Sequence, residues 1–443
     1  MIKLALLLFG AGFVRRNTHL LILVGIVWAI LGLAIAIDAV DGARLFPLTL
    51  FGVLLLVESL VTLTVAGSGI GAQKAVLAFK GGMFLLVALL ILAGGSISNL
   101  LLAIILGLAY FVLGVFQIAS AWVLRYDRWR LSVWGGCAQV VFGLFLFQPY
   151  PTHYAGTVSY FIGVTMLVAG LGTLRVAVRT RKLSKHDSMF DLLAPEELRG
   201  TVPTEPESEP EPEPGPAQPP AQPGPLTVHV WTPEGSAKNK TVRRPVFNRY
   251  IAAVDVRGVI STGHAAMEVP PSTYISLYPA VDIDRSPSEF FNLLKAVKEN
   301  DVPGKFQPDY ATESKAWCPS NWQIRFDRYD PRKLQAFWQR YHRQEIYNLT
   351  RRNCSSSVSY ALESALDGVL DARSRSWRQV LRTLLMPELW IAAQVRQRAQ
   401  VMAWTPGLTL DYSRALRAVV HPVQQSWFSR FVAAATRRTA RES

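Results

Sequence analysis

Apolar residues run almost unbroken through roughly the first 180 positions of the chain, then give way to mixed sequence. Six apolar stretches, near 18–37, 45–65, 75–94, 98–122, 131–148 and 155–176, are long enough to cross a bilayer core, which takes about 20 helical residues. They keep almost no polar face, unlike helices of a soluble bundle. The pattern predicts a six-helix transmembrane bundle. An earlier apolar run, Leu4–Val14, ends at Arg15 and Arg16. That order is the reverse of a secretory leader, so the run is expected to lie at the membrane interface and lead into the first span.

The bundle repeats internally. Gly25, Gly82 and Gly136 fall near the starts of the first, third and fifth stretches, and Gly52, Gly107 and Gly163 fall in the second, fourth and sixth. A recurrence of this kind predicts three helical hairpins in tandem, with small residues letting helices approach closely. Lys3, Arg15, Arg16, Lys74, Lys80, Arg125, Arg128, Arg130, Arg175, Arg179, Arg181, Lys182 and Lys185 fall on one set of loops, while the opposite loops carry only Arg44 with Asp38 and Asp41. This asymmetry predicts that both termini are cytoplasmic. The net charge of +14 would suit nucleic acid, but the cations sit at the ends of apolar stretches and in a tail rich in Trp, Leu and Phe. The expected partner is therefore a lipid bilayer and not nucleic acid. Glu58 is the clearest ionisable group within a span, and an intramembrane carboxylate is a functional candidate for proton handling.

Residues 202–225 are rich in Pro and Glu and predict an extended spacer. The expected organisation is a membrane domain over 1–185, a disordered linker over 186–225, a cysteine domain over 226–371 and a basic amphipathic helical tail over 372–443. Within the cysteine domain, strands are expected over Leu226–Trp231, Tyr250–Val256, Gly263–Val269, Thr273–Leu277 and Asn321–Tyr329. Helices are expected over Pro287–Asn300, Pro331–Arg343 and Cys354–Leu366.

Two short segments carry chemistry. Cys354 follows Asn353, a favourable N-cap residue, and opens an amphipathic helix. A thiol at a helix N-terminus has its pKa lowered and becomes a better nucleophile, and Arg351 and Arg352 would add to the effect. A nucleophilic Cys needs a base, and His264, on a strand after Gly263, is the candidate. Period two along that strand puts Glu268 on the face of His264, where it would orient the imidazole; Tyr274 and Ser276 are alternatives for this third position. Cys318 lies between Trp317 and Pro319 and Cys137 lies in an apolar stretch, so both read as structural. The three cysteines and His264 lack paired metal-ligand spacing, and the pattern calls for no metal or cofactor.

Two resemblances follow. Arg15-Arg16-Asn17, the three hairpins and the Phe51-Gly52…Glu58 type of span resemble the HdeD family of bacterial inner-membrane proteins, associated with acid and stress resistance. Gly263-His264 and Asn353-Cys354 resemble the circularly permuted papain-like superfamily, which includes NlpC-related peptidases, lecithin:retinol acyltransferase-like enzymes and Lnb-type transacylases. The second resemblance implies an α+β domain whose thiolate attacks an ester, thioester or amide carbonyl to give an acyl-enzyme, with Asn353 in support. The chain is thus expected to be multidomain: a membrane-anchored cysteine hydrolase or acyltransferase of the bacterial inner membrane, acting on a membrane-associated substrate. The alternative is a non-catalytic stress-response protein with a cytoplasmic binding module. The tail, with Arg interleaved among Trp, Leu and Phe, is expected either on anionic lipid head groups or packed on the cysteine domain.

Overall fold

A computed structural model of the chain describes residues 1–41, 48–68, 72–126, 128–181, 188–195, 198, 224–232, 263–281, 283 and 290–422, with four short strand pieces between 235 and 261. Most of the Pro/Glu-rich spacer and the last part of the tail, 423–443, lie outside the described residues. The chain divides into two compact units, and the division does not follow chain order. Arg15–Lys182 form one unit, while Met1–Val14 join Leu183–Pro422 in the other.

The first unit holds α2 (Thr18–Asp41), α3 (Leu48–Ser68), α4 (Ala72–Ala93), α5 (Ser96–Leu124), α6 (Trp129–Phe147) and α7 (Thr157–Thr180). Four of them, α2, α5, α6 and α7, are long and apolar enough to cross a membrane; α3 and α4 contain the shorter apolar stretches Leu48–Leu63 and Leu77–Ala93. The helices pack as α3 on α4, α5 on α6 and α2 on α7. The pairing is therefore shifted by one from the expected hairpins, with the first helix closing on the last. Glycine seams account for the shift. A Cβ on Gly32 would lie 2.6 Å from the Gly163 carbonyl oxygen, and one on Gly163 would lie 2.6 Å from that of Gly32. Gly107 with Gly143 and Gly114 with Gly136 meet in the same reciprocal way, at 2.7–3.1 Å. Each seam repeats every seventh residue, which keeps one helix face against its neighbour. Between α3 and α4, Gly52 meets Ile91 and Leu92, and Gly81 meets Leu63. Glu58 of α3 is paired with Lys80 of α4 and accepts from Thr62 Oγ1 at 3.2 Å.

The second unit is α+β. Its helix α1 (Ile2–Arg16) breaks at Gly10, where φ is +81°. Leu4 to Phe9 are buried almost completely. The Leu7 and Leu8 carbonyls accept from the amides of Gly368 (2.9 Å) and Leu370 (2.8 Å). Gly10 and Gly368 both have positive φ, and a Cβ on Gly10 would stand 2.6 Å from Gly368 Cα, so the crossing needs glycine. The segment expected at the membrane interface is instead part of this unit's core. Likewise, the start of the expected linker folds as α8 (Met189–Leu193): Met189 and Phe190 are fully buried, Phe190 N donates to Asp367 Oδ2 at 3.0 Å, and Asp191 pairs with Arg340.

The strands that follow are β1 (Leu226–Trp231), the two-residue pieces β2 (Gly235–Ser236), β3 (Asn239–Lys240), β4 (Ala253–Val254) and β5 (Ile260–Ser261), then β6 (His264–Val269), β7 (Thr273–Ile275) and β8 (Leu277–Pro279). The strand expected over Tyr250–Val256 is described only at β4. The helix expected over Pro287–Asn300 appears as α9 (Phe290–Leu293) and a separate 3-10 turn at Lys298–Asn300, with residues 284–289 outside the described set. Next come β9 (Val302–Phe306), α10 (Tyr310–Ala316), β10 (Trp322–Phe326), α11 (Pro331–Tyr341), β11 (Ile346–Tyr347) and α12 (Cys354–Ala365). The main sheet is antiparallel in the order β10-β1-β6-β7, and β9 pairs with β8 and β11 in a second sheet.

The expected tail becomes α13 (Trp377–Leu384), α14 (Pro387–Val401) and α15 (Pro406–Val420). Of these, α15 is almost wholly buried and packs on α12 and the main sheet, with α14 behind it. Arg396 of α14 makes a bidentate pair with Glu363 of α12 (2.7 and 2.8 Å), and Tyr412 of α15 donates to the same carboxylate at 2.9 Å. Two of the three tail helices therefore complete the core that carries Cys354.

Candidate active site

Cys354 stands at the first position of α12. Asn353 caps that helix: its Oδ1 accepts from Ser356 N at 2.8 Å, and Ser356 Oγ accepts in return from Asn353 N at 2.8 Å. Such a reciprocal cap contributes about 1 kcal/mol and fixes where the helix begins. The Asn353 amide group also donates to the carbonyls of Leu349 (2.7 Å) and Trp404 (3.0 Å), tying the cap to the loop before α15. Its contacts make Asn353 a positioning residue.

His264 opens β6 opposite Trp231 of β1. The residue before it, Gly263, has φ +72°, which lets the chain turn sharply into the strand. His264 and Cys354 are both buried, and they lie close enough for each to shift the other's proton affinity. The ring Nε2 meets Ser276 Oγ at 2.9 Å and Glu313 Oε1 at 3.2 Å. Tyr278 stacks on the imidazole at 4.1 Å between centroids, and Trp317 stands edge-on at 6.4 Å.

Glu313 comes from α10, a helix capped by Asp309. It is buried, and it accepts from Tyr278 Oη at 2.6 Å and from Tyr274 Oη. Burial opposes its charge, yet the His264 contact and the two tyrosines outweigh that and hold the carboxyl down to about 2. Burial also opposes an imidazolium at His264, but Cys354 and Glu313 overcome it and raise the ring to about 9. For Cys354, burial pushes the thiol up, while the charge and hydrogen bond of His264, and then the Ala265 amide, bring it below its ordinary value. Each shift favours the charged form of its group: carboxylate, imidazolium and thiolate. Because the members interact strongly, these values belong to the set rather than to single residues.

The residue that contacts the His264 ring as a carboxylate is Glu313, which the sequence alone did not suggest, and not Glu268. Glu268 does share a face with His264, as period two requires. Four residues of strand carry it about 13 Å along the sheet, where it meets His229 Nε2 at 3.3 Å. His229 stacks on Tyr310 and contacts Ser320 Oγ through Nδ1 at 3.1 Å, forming a polar cluster of its own. The two other candidates for the third position both lie in the network, Ser276 on the ring and Tyr274 on Glu313. The arginines before Cys354 have other partners: Arg351 pairs with Asp301, and Arg352 donates to the carbonyls of Ile346, Tyr341 and Gln344 over the Tyr341 ring. Cys318 is exposed, and its carbonyl accepts from Trp231 Nε1 at 2.8 Å. Among the described residues, no group of three or more His, Cys, Asp or Glu is placed to hold a metal ion.

No protein-family model matches the chain, and neither a curated protein nor a solved structure does.

Proposed function

We propose that the chain is a membrane-anchored cysteine hydrolase or acyltransferase, with Cys354 as nucleophile, His264 as general base and acid, and Glu313 as the residue that holds the imidazole. The observation that carries this reading is the buried contact of Glu313 with His264, together with the burial of Cys354 at a helix N-terminus near enough to His264 for each to shift the other's pKa. Geometry and charge agree on one chemistry. The Cys354 thiolate adds to an acyl carbonyl, and the C–S bond forms as the carbonyl oxygen gains charge beside the Cys354 amide. The tetrahedral centre collapses, and His264 gives its proton to the departing alcohol, thiol or amine. Water or an acceptor alcohol or amine then attacks the acyl-enzyme, His264 takes its proton, and the thiolate leaves. Trp317 is 52% exposed and stacks on Trp231 at 5.7 Å, so it offers an apolar wall beside the ring. That favours a substrate with an apolar acyl chain.

In the same reading the cysteine unit is permuted papain-like, since His264 begins an early strand after Gly263 and Asn353-Cys354 opens a later helix. The bundle is HdeD-like and has six spans. An even number of crossings is supported by the composition of the second unit: Met1–Val14 and Leu183–Pro422 fold together, and one compact unit stays on one side of a membrane. The loop cations support the cytoplasm as that side, where Cys354 would stay reduced. A role in stress response belongs to the bundle's resemblance alone.

The test is acylation of the full chain in nanodiscs by a fatty-acyl thioester, read by mass spectrometry at each cysteine. Cys318 serves as the internal reference for an exposed thiol. Cys354 is expected to carry the acyl group, and His264→Ala to lower its rate by about 100-fold or more. If Cys354 acylates no faster than Cys318, the enzyme reading fails, and the cysteine unit is a binding module.

A further inference from the structure

The helix α13 differs from its neighbours in what it leaves uncovered. Val380 and Thr383 face inward and are buried. Trp377, Leu381 and the following Leu385 are 62%, 57% and 72% exposed. These three stand four residues apart, so at about 100° per residue they form one stripe within about 80° of the helix circumference. Arg378 and Arg382, each one residue further on, form a parallel exposed stripe along its edge. The cations extend beyond the helix. Arg373 is anchored by hydrogen bonds to the carbonyls of Val419 and Val420, and burial, then Arg328 and Arg382 nearby, push its guanidinium below the ordinary value. The nearest acids along the chain are Asp371 and Glu388.

We propose that α13 is the surface by which the cysteine unit docks on an anionic phospholipid bilayer, with Trp377, Leu381 and Leu385 entering the head-group boundary and Arg378 and Arg382 meeting lipid phosphates. Three observations select lipid over a protein partner. The apolar stripe is narrow and lies on the convex outer face of a single helix. Its flank is cationic and so complements the charge of an inner leaflet. The same chain contains four helices long and apolar enough to cross a membrane, which would tether this unit to a bilayer. A short helix with aromatic and aliphatic residues on one stripe and Arg beside it is the form that lies in the plane of an interface. The inference does not rest on Cys354 being catalytic. Docking would place the unit at the surface from which an acyl-lipid substrate comes.

The experiment replaces Leu381, Leu385 or, on another side of the helix, Gln379 with a benzoylphenylalanine photocrosslinker in the full chain. The protein is placed in nanodiscs of phosphatidylcholine with or without phosphatidylglycerol. Lipid adducts are expected at 381 and 385, with few at 379. Each Arg near an anionic surface is worth about 1 kcal/mol, or about fivefold, so Arg378→Gln with Arg382→Gln should cut adducts in the anionic discs by at least about fivefold. Adducts equally abundant at 379 and 381, adducts unaffected by phosphatidylglycerol, or crosslinks joining two copies of the chain would each overturn the proposal.

Discussion

The two units are held together by opposite means. In the helical bundle, two pairs of helices meet where side chains are missing: Gly32 on Gly163 between α2 and α7, and Gly107 on Gly143 with Gly114 on Gly136 between α5 and α6, bring backbone against backbone. In the cysteine unit, the residues that fix the candidate site are polar, buried and mutually satisfied: Glu313 with Tyr274, Tyr278 and His264, and Glu363 with Arg396 and Tyr412. The difference follows from the surroundings. Apolar side chains gain little by leaving lipid for one another, so contact depends on close fit. In water, apolar burial supplies the drive and buried polar networks fix the geometry.

The largest expected effect breaks the first half of this contrast. Gly32→Leu or Gly163→Leu puts a side chain where the opposing backbone already lies. Even modest overpacking costs about 1–3 kcal/mol, and here no flexible neighbour can yield, so detergent-solubilised protein should aggregate or lose its folded fraction. Gly82→Leu and Gly172→Leu point into open space and should leave thermal stability near the starting value. Equal damage at all four positions would show that helix propensity, and not the seam, matters. The second effect breaks the polar half. Arg396→Met leaves Glu363 buried without its cation, which costs about 3–5 kcal/mol, whereas pairing it with Glu363→Leu should recover much of that loss. Chemical denaturation of the single and double variants gives the comparison.

Smaller effects sharpen the site itself. The Cys354–His264 pair is charged between the lowered thiol value and about 9. The stability that His264 gains from its partners is fully present below its unfolded value near 6.5 and is lost as pH rises through about 9. Acylation of Cys354 should rise with pH through the thiol's titration, and turnover should fall above about 9 as the imidazolium proton is lost. Glu313→Gln removes the anion behind the ring, so the upper limb should move to lower pH while the fold persists; an unmoved limb would remove Glu313 from the site. Glu268→Gln should be the mildest change. It touches His229, and acylation should stay within about twofold, well under one residue's worth of general-base catalysis.

Legibility divided along the same line. Hydropathy made the apolar stretches plain from residue 18 onward, because bilayer thickness imposes a length that needs no partner. Which helix pairs with which was hidden, since glycines mark a contact face without naming its opposite. In the cysteine unit, the turn at Gly263, the cap at Asn353 and the helix from Cys354 are local events, and the sequence carries them locally. Glu313 was not legible: it sits on a seven-residue helix with one Asp cap as its only sign, and its partner His264 is distant in the chain. The tail was ambiguous for a related reason. Arg among Trp and Leu suits a lipid surface and an internal ion pair equally, and only Glu363, far upstream, makes Arg396 a core residue. The first apolar run likewise resembles a membrane segment until Gly368 and Leu370 are seen to receive it.

That last contact sets a schedule for biosynthesis. Leu7 and Leu8 leave the ribosome hundreds of residues ahead of Gly368 and Leu370, which bind them. At roughly 5–20 residues per second, the wait is about 20–70 s. Through all of it the Leu7 and Leu8 carbonyls lack the amides that receive them in the folded unit. The cysteine unit therefore cannot mature from its beginning as it emerges. It assembles last, around a segment made first, and cutting the chain before Gly368 would strand that segment for good.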